Sequence, residues 1–148
     1  MQVFIENEAG SNQKNIFDES AQQYIKSYTV SRMYPYPYGF IPNTTSGDGD
    51  NLDCFVLTNK YLKSGTIHEV EVIGLMKQIE DGQEDHKILA VLVGESILIT
   101  DEIKKKLVDF AEHVFDHLEG KTMEVGEFCN KEVALNILKN CKISIQKR

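Results

Sequence analysis

YPYPYGFIPNTTSGDGDNLDCFVL, Tyr34 to Leu57, holds three carboxylates, Asp48, Asp50 and Asp53, within six residues. Gly47 and Gly49 flank the first, and the apolar run Cys54 to Leu57 follows the last. Glycine lets a backbone bend sharply and approach a ligand closely. Carboxylates crowded on such a bend repel one another unless cations lie between them. Hard cations such as Mg²⁺ take oxygen ligands of this kind. A solvated acidic turn is the plainer reading of the same residues. One calcium loop is excluded: an EF-hand starting at Asp48 needs an oxygen side chain fifth, Gly sixth and Glu twelfth, where the chain has Leu52, Asp53 and Asn59.

A chain of 148 residues with 41% hydrophobic residues fits one domain spanning 1–148 with a packed core. Such a length buries roughly 68–70% of the unfolded surface. No run approaches the ~18 apolar residues of a membrane span. MQVFIENEAG at the start lacks the regions of a signal peptide. Cys54, Cys129 and Cys141 are odd in number and irregularly spaced, which fits free thiols in the cytoplasm, Cys54 being a small core residue. A net charge of −7 argues against nucleic acid and anionic membrane as partners. It does not exclude an anionic substrate, because divalent ions on carboxylates reverse the local field.

The first half reads as strands: Val3–Glu6, Asn15–Phe17, Tyr24–Val30, Asp53–Leu57 and Glu69–Lys77, followed by Ile88–Val93. Pro35, Pro37 and Pro42 make Tyr34 to Thr45 a stiff, extended connector. The last third is helical. From Asp101 to Glu119 one stripe carries Ile103, Leu107, Phe110, Ala111, Val114 and Leu118, with Thr100 as cap and Gly120 as stop. Asn130 caps a shorter helix ending near Cys141, which should bury Val133, Ile137 and Cys141. Strands followed by helices make this an α+β chain.

The quoted stretch resembles the signature of family I soluble inorganic pyrophosphatases, Tyr-Pro-x-Asn-Tyr-Gly-(Phe/Tyr)-Ile-Pro followed by Asp-Gly-Asp-Pro-(Leu/Val)-Asp. Tyr34, Pro35, Tyr38, Gly39, Phe40, Ile41 and Pro42 match with the right spacing, as do Asp48, Gly49, Asp50, Leu52 and Asp53. IENEAGSNQKNIFD, Ile5 to Asp18, looks like the family's IEIPxGSxNKYEFD. GLMKQIEDGQEDHKILAV, Gly74 to Val91, looks like its Gly-Val-(Leu/Met)-x-(Met/Leu)-x-Asp-x-Gly-x-x-Asp-x-Lys segment. The likeness covers nearly the whole chain. It implies a small five-stranded OB-like β-barrel with two C-terminal helices packed outside.

It also implies Mg²⁺-dependent hydrolysis of pyrophosphate by metal-activated water, with several ions and with Mn²⁺ or a similar ion able to substitute. Asp48, Asp53 and Asp85 would hold metal, joined by Glu80, where the family has Asp, and by Glu6 at the mouth. Asp50 would be the general base. Lys14, Tyr38 and Lys87 would surround the phosphates, and Lys26 stands where the family has a phosphate-binding Arg. The partners implied are pyrophosphate or a related small phosphorylated ligand, and further copies of the chain, a hexamer in preference to a dimer.

The residues also have plain readings. Glu80, Asp81, Glu84 and Asp85 surround Gly82 as a solvated turn would, and Lys14 and Lys26 alone would be surface lysines. Tyr34, Tyr36 and Tyr38 alternate as core-packing residues do. His113 and His117, four apart without an HExxH motif, read as a polar or subunit-facing pair.

Departures from the family cluster on the substrate side. Asn15 and Ile16 replace a Tyr-Glu pair, so one carboxylate is absent. Lys26 in place of Arg loses the planar bidentate contact. Pro37 replaces Asn, and Asn51 replaces Pro. Glu80 replaces Asp, with Asp81 beside it as an alternative ligand. Val114 and Phe115 stand where the family has Tyr-Lys, each lost charged contact costing on the order of 1.5–3 kcal/mol. Lys121 is the nearest candidate to reach in. These losses favour a second reading, a catalytically weak or inactive relative that binds metal and phosphorylated ligands. A third reading, an oligonucleotide-binding barrel, lacks a basic, aromatic-studded face.

Overall fold

The computed structural model describes residues 1–46 and 49–141. In chain order it contains β1 (Gln2–Asn7), β2 (Gln13–Asp18), β3 (Gln23–Thr29), β4 (Tyr38–Ile41), β5 (Leu52–Val56), β6 (Ile67–Glu80), β7 (Gln83–Glu84), β8 (Lys87–Leu92), α1 (Asp101–His113), β9 (Met123–Asn130) and α2 (Lys131–Cys141). Strands β1, β4, β5, β8 and β6 pair in that order, and β6 pairs back with β1, so five strands form an OB-like ring. All ring pairings are antiparallel except β5 with β8. Strand β9 extends the sheet along β6, while β2 and β3 form a separate hairpin.

Alternation along the strands sends side chains to two apolar clusters. Cys54 and Val56 of β5, with Ile88 and Ala90 of β8, join the cluster that includes Ala134 and Leu138 of α2. Phe55 and Leu89 face the opposite way, into the cluster built with Tyr34, Tyr38 and Leu107, Phe110 and Ala111 of α1. Asp53 and Lys87 lie one alternation before Phe55 and Leu89, on the α1 side of the sheet.

Three strands were not expected, the two-residue β7 among them. The proline-flanked connector contains β4, because Gly39 lets that segment close on β1, opposite Ile5. Strand β9 buries none of its residues fully, so it carries no clean apolar alternation, and Gly126 allows it to approach Lys77 of β6. Helix α1 is shorter than expected. Thr100 caps its start through the Ile103 amide, as the sequence indicated. At its end Ser31 intervenes: its N–H donates to the Val114 carbonyl at 2.9 Å, and its Oγ accepts from the His117 N–H at 3.1 Å. Those groups are then lost to a continued helix, the chain turns, and Leu118 is 47% exposed instead of buried. In α2, Asn130 Oδ1 accepts from the Val133 N–H at 3.0 Å, as a cap should. The buried face is Ala134 and Leu138, with Ile137 and Cys141 partly buried; the expectation that Val133 is buried is corrected, because it points outward at 37% exposure.

Gly39 is the tightest backbone approach in the ring. A Cβ there would overlap the Phe4 carbonyl oxygen. Gly39→Ala should cost about 3 kcal/mol, at the upper end of the overpacking range. The urea midpoint measures it, and a wild-type midpoint would contradict the close β1–β4 contact.

Candidate active site

The parallel pairing of β5 and β8 sets Asp53 directly beside Lys87. Lys87 Nζ donates to Asp53 Oδ2 at 2.6 Å, to Asp85 Oδ2 at 2.9 Å and to the Tyr38 hydroxyl at 3.0 Å. The Tyr38 ring also lies under this ammonium, 5.4 Å from its centroid. Burial opposes charge on Lys87, but Asp53 and Asp85 outweigh it and hold the ammonium protonated above its ordinary range. Burial likewise works to raise Asp53, and the Lys87 charge with hydrogen bonds from Lys87 and Tyr38 reverses this, leaving its carboxyl below the ordinary value. Burial, followed by the charges of Asp53 and Asp85, keeps Tyr38 a neutral phenol.

This cluster lies in a cleft of about 430 Å³. Glu6 ends in it from β1, Lys14 from β2, Asp50 from the bend before β5, and Glu80 from the end of β6. Phe110, Ala111, Val114 and Phe115 form the wall on the α1 side. Asn15 clamps β2 to β1: its backbone N–H donates to Asn7 Oδ1 at 2.7 Å and its Nδ2 to the Glu6 carbonyl at 2.8 Å. Burial, then repulsion from Asp53, pushes the Glu6 carboxyl up to about 8. Gly49 takes a positive φ of 86° in the acidic bend, and the Ser46 N–H donates to the Asp50 carbonyl at 2.8 Å.

Not every residue singled out from the sequence lines this cleft. Asp48 and Gly47 lie outside the described residues. Lys26 is exposed on β3, its ammonium 5.4 Å from the Tyr28 ring centroid, and it is absent from the cleft wall. Asp81 turns away from the cleft, because its Oδ1 accepts from the Thr122 N–H at 2.9 Å, so Glu80 is the carboxylate that enters. His113 pairs with Asp116 at 2.9 Å and His117 with Ser31 at 2.7 Å, so the two imidazoles do not form a pair. Among the described residues, no three His, Cys, Asp or Glu side chains are gathered closely enough to hold a metal ion.

Two cleft residues, Glu19 and Gln78, had little or no sequence signal, and Lys121, the candidate to reach in, joins them. Glu19 lines the cleft and accepts from both the backbone N–H of Asn51 at 2.9 Å and its Nδ2 at 2.7 Å. A proline at 51 has no N–H to give, so the Asn51 departure was the signal for this contact. Lys121 enters from beyond α1, 3.4 Å from Asp81, 3.5 Å from Glu80 and 5.0 Å from the Phe115 ring centroid. The ammonium of Lys14 stands 5.8 Å from the same ring, so Phe115 faces two cations. Gln78 is buried beneath the acidic groups.

The family model described as inorganic pyrophosphatase matches residues 3–146. The inorganic pyrophosphatase of Nanoarchaeum equitans is 34% identical over 99% of this chain and 98% of its own length. The solved inorganic pyrophosphatase of Helicobacter pylori superposes with a TM-score of 0.88 at 26% identity, covering 95% of this chain and 90% of that one. That of Thermus thermophilus superposes with a TM-score of 0.85 at 28% identity, covering 95% and 88%. With the family model spanning nearly the whole sequence and close matches in both sequence and structure, the chain belongs to the inorganic pyrophosphatase family.

Proposed function

We propose that this protein hydrolyses inorganic pyrophosphate to two phosphates with Mg²⁺, several ions acting together and Mn²⁺ able to substitute. The observation that carries the reading is the meeting of Asp53, Asp85, Lys87 and Tyr38 in one cleft with Glu6, Lys14, Asp50 and Glu80. The donor set fits a hard cation, being all oxygen. The raised Glu6 carboxyl is compatible with the same fit: burial raises it most, and repulsion from Asp53 adds to that. Asp53, Asp85, Glu80 and Glu6, with Asp48, would hold the ions. When bound, these neutralise the phosphates and acidify water.

The chain's own residues supply the rest. Asp50 is exposed at the mouth and takes the proton of the attacking water. As the new P–O bond forms, the bridging P–O bond breaks and the leaving phosphate takes up the charge. Lys14 would hold phosphate oxygens; Lys87 and Tyr38, whose donors go to Asp53 and Asp85 in the metal-free fold, would join it as the ions take over those carboxylates. Lys26 would need to swing in from the hairpin. Lys121 stands in for the ammonium missing at 115, and Phe115 keeps Lys121 and Lys14 over its ring. Glu19, held by Asn51, restores a carboxylate lost at Ile16.

A weak or inactive relative that only binds metal and phosphorylated ligands is the second reading, and the apolar wall of Val114 and Phe115 favours it. The arrival of Lys121 favours turnover. The reading includes the cytoplasm, one domain, and a homo-oligomer, a hexamer in preference to a dimer; exposed Val93 and Leu98 offer apolar surface for subunit contact. No described helix is long and apolar enough to cross a membrane.

Phosphate release from pyrophosphate with added Mg²⁺ tests the reading; a folded protein that binds Mg²⁺ and releases none leaves the binding-only relative. In an active protein, Asp50→Asn should cut turnover by roughly 10²–10⁴ while Mg²⁺ titration still shows binding. Unchanged turnover removes Asp50 from proton transfer. Lys121→Met should raise KM for pyrophosphate by roughly 10-fold or more, the loss of one charged contact of about 1.5–3 kcal/mol. An unchanged KM would exclude Lys121 from the phosphate site.

The Glu6 carboxyl makes a separate prediction for metal-free protein. Its folded value of about 8 lies above the ordinary 4.5, so the folded state keeps a proton that the unfolded state releases. Stability therefore falls as pH rises from 4.5 towards about 8. Glu6→Gln removes that loss, so in chelator the variant should gain on wild type across this window, by on the order of a few kcal/mol at its top. Urea unfolding at several pH values measures the gap; a gap independent of pH would contradict the buried, protonated carboxyl.

A further inference from the structure

Gln78 is 3% exposed and lines the cleft, at a position where the family pattern has Met or Leu. Its Nε2 donates to the Met123 Sδ at 3.0 Å. Its Oε1 has no hydrogen-bond partner among the described residues. A thioether accepts weakly and cannot donate, so the amide group belongs on the sulfur side and the carbonyl oxygen is the atom left over. A buried carbonyl in that state costs folding free energy that Met or Leu would not. The departure from the family thus brings a penalty to the metal-free fold.

The placement says what the oxygen is for. The Asp85 N–H donates to the Gln78 backbone carbonyl at 2.9 Å, so the two residues lie side by side on adjoining segments. Glu80 is two residues further along β6, and alternation gives residues two apart the same face. All three side chains line the same cleft. A neutral acceptor among carboxylates repels phosphate oxygens and attracts cations. Amide carbonyls are ordinary oxygen ligands for hard divalent ions.

We propose that Gln78 Oε1 helps hold a divalent cation in this cleft, beside Asp85 and Glu80. The inference rests on the reading that the cleft binds divalent metal, and it adds a neutral oxygen to an otherwise anionic donor set.

Titration calorimetry with Mg²⁺ alone, and thermal unfolding in chelator, test it. Gln78→Met keeps volume, stays apolar and restores the family's residue. It should weaken Mg²⁺ binding by roughly 10–100-fold, as loss of a supporting metal contact does. It should also raise the unfolding temperature of the metal-free protein. A merely structural Gln78 would not produce those opposite changes. Gln78→Glu should do the reverse, tightening Mg²⁺ binding and lowering metal-free stability through repulsion from Asp85 and Glu80. If Gln78→Met fails to fold, Gln78→Glu decides alone. Mg²⁺ affinity equal to wild type in a folded variant overturns the assignment of Gln78 and leaves the metal reading intact. Absence of Mg²⁺ binding by the wild type overturns both.

Discussion

One buried ammonium organises this molecule. Lys87 Nζ sits between Asp53 and Asp85, with Tyr38 as its third contact. Three charged groups taken from water are costly, and removing one partner of such a set typically costs 3–5 kcal/mol, about what the survivors lose by being left uncompensated. The geometry must therefore be held closely. It is held by the parallel β5–β8 pairing, which puts Asp53 level with Lys87, and by the β4–β5 pairing, which puts Tyr38 level with Phe55. The ring of strands is what makes a parallel neighbour available to β5 at all. The packing of Tyr34 on Phe110 at 4.5 Å then fixes α1 as the far wall of the cleft.

How much of this was legible follows from which contacts are local. The strands around the motifs, the cap residues Thr100 and Asn130 and the two helices are written in nearby residues, and the sequence showed them. That the Asp50–Asp53 bend and the Glu80–Asp85 turn meet was not readable from either segment, because the pairing that joins them is non-local. Strand β4 was hidden by its prolines and depends on Gly39 meeting β1. The early end of α1 depends on Ser31, 83 positions before Val114 in the chain. The acidic bend marked a site, but its chemistry needed the family pattern, and the departure at Lys26 turned out to lie on an exposed strand instead of the cleft wall.

The departures look different once they are in place. Taken one by one along the sequence, Ile16, Asn51, Val114 and Phe115 remove groups from the substrate side. In the fold, Asn51 supplies two donors that bring Glu19 to the cleft, and Phe115 supplies a ring against which Lys14 and Lys121 stand. Charge has moved between positions more than it has been lost. The Phe115 face attracts both ammoniums without hydrogen-bonding them, while Lys121 is also paired with Glu80 and Asp81. A lysine at 115 would instead repel Lys14 and Lys121, so the aromatic residue and the displaced ammonium are consistent with one another.

The remaining imbalance points the same way. Glu6, Glu19, Asp50, Glu80 and the Asp53–Asp85 pair put six carboxyls around a cleft whose facing ammoniums are Lys14, Lys87 and Lys121. The metal-free fold responds in the only ways open to it: burial and repulsion from Asp53 keep Glu6 protonated near neutrality, and burial raises Glu19 despite two hydrogen bonds from Asn51. Gln78 adds a buried oxygen without a partner among the described residues. Each of these lowers the stability of the metal-free fold, and on the proposed reading a cation of more than one charge would relieve each of them. A ligand that binds only the folded state returns that stability by mass action. On the proposed metal reading the destabilised groups lie where an ion would relieve them, while Lys87, paired with Asp53 and Asp85, ties β5 to β8 in the metal-free fold.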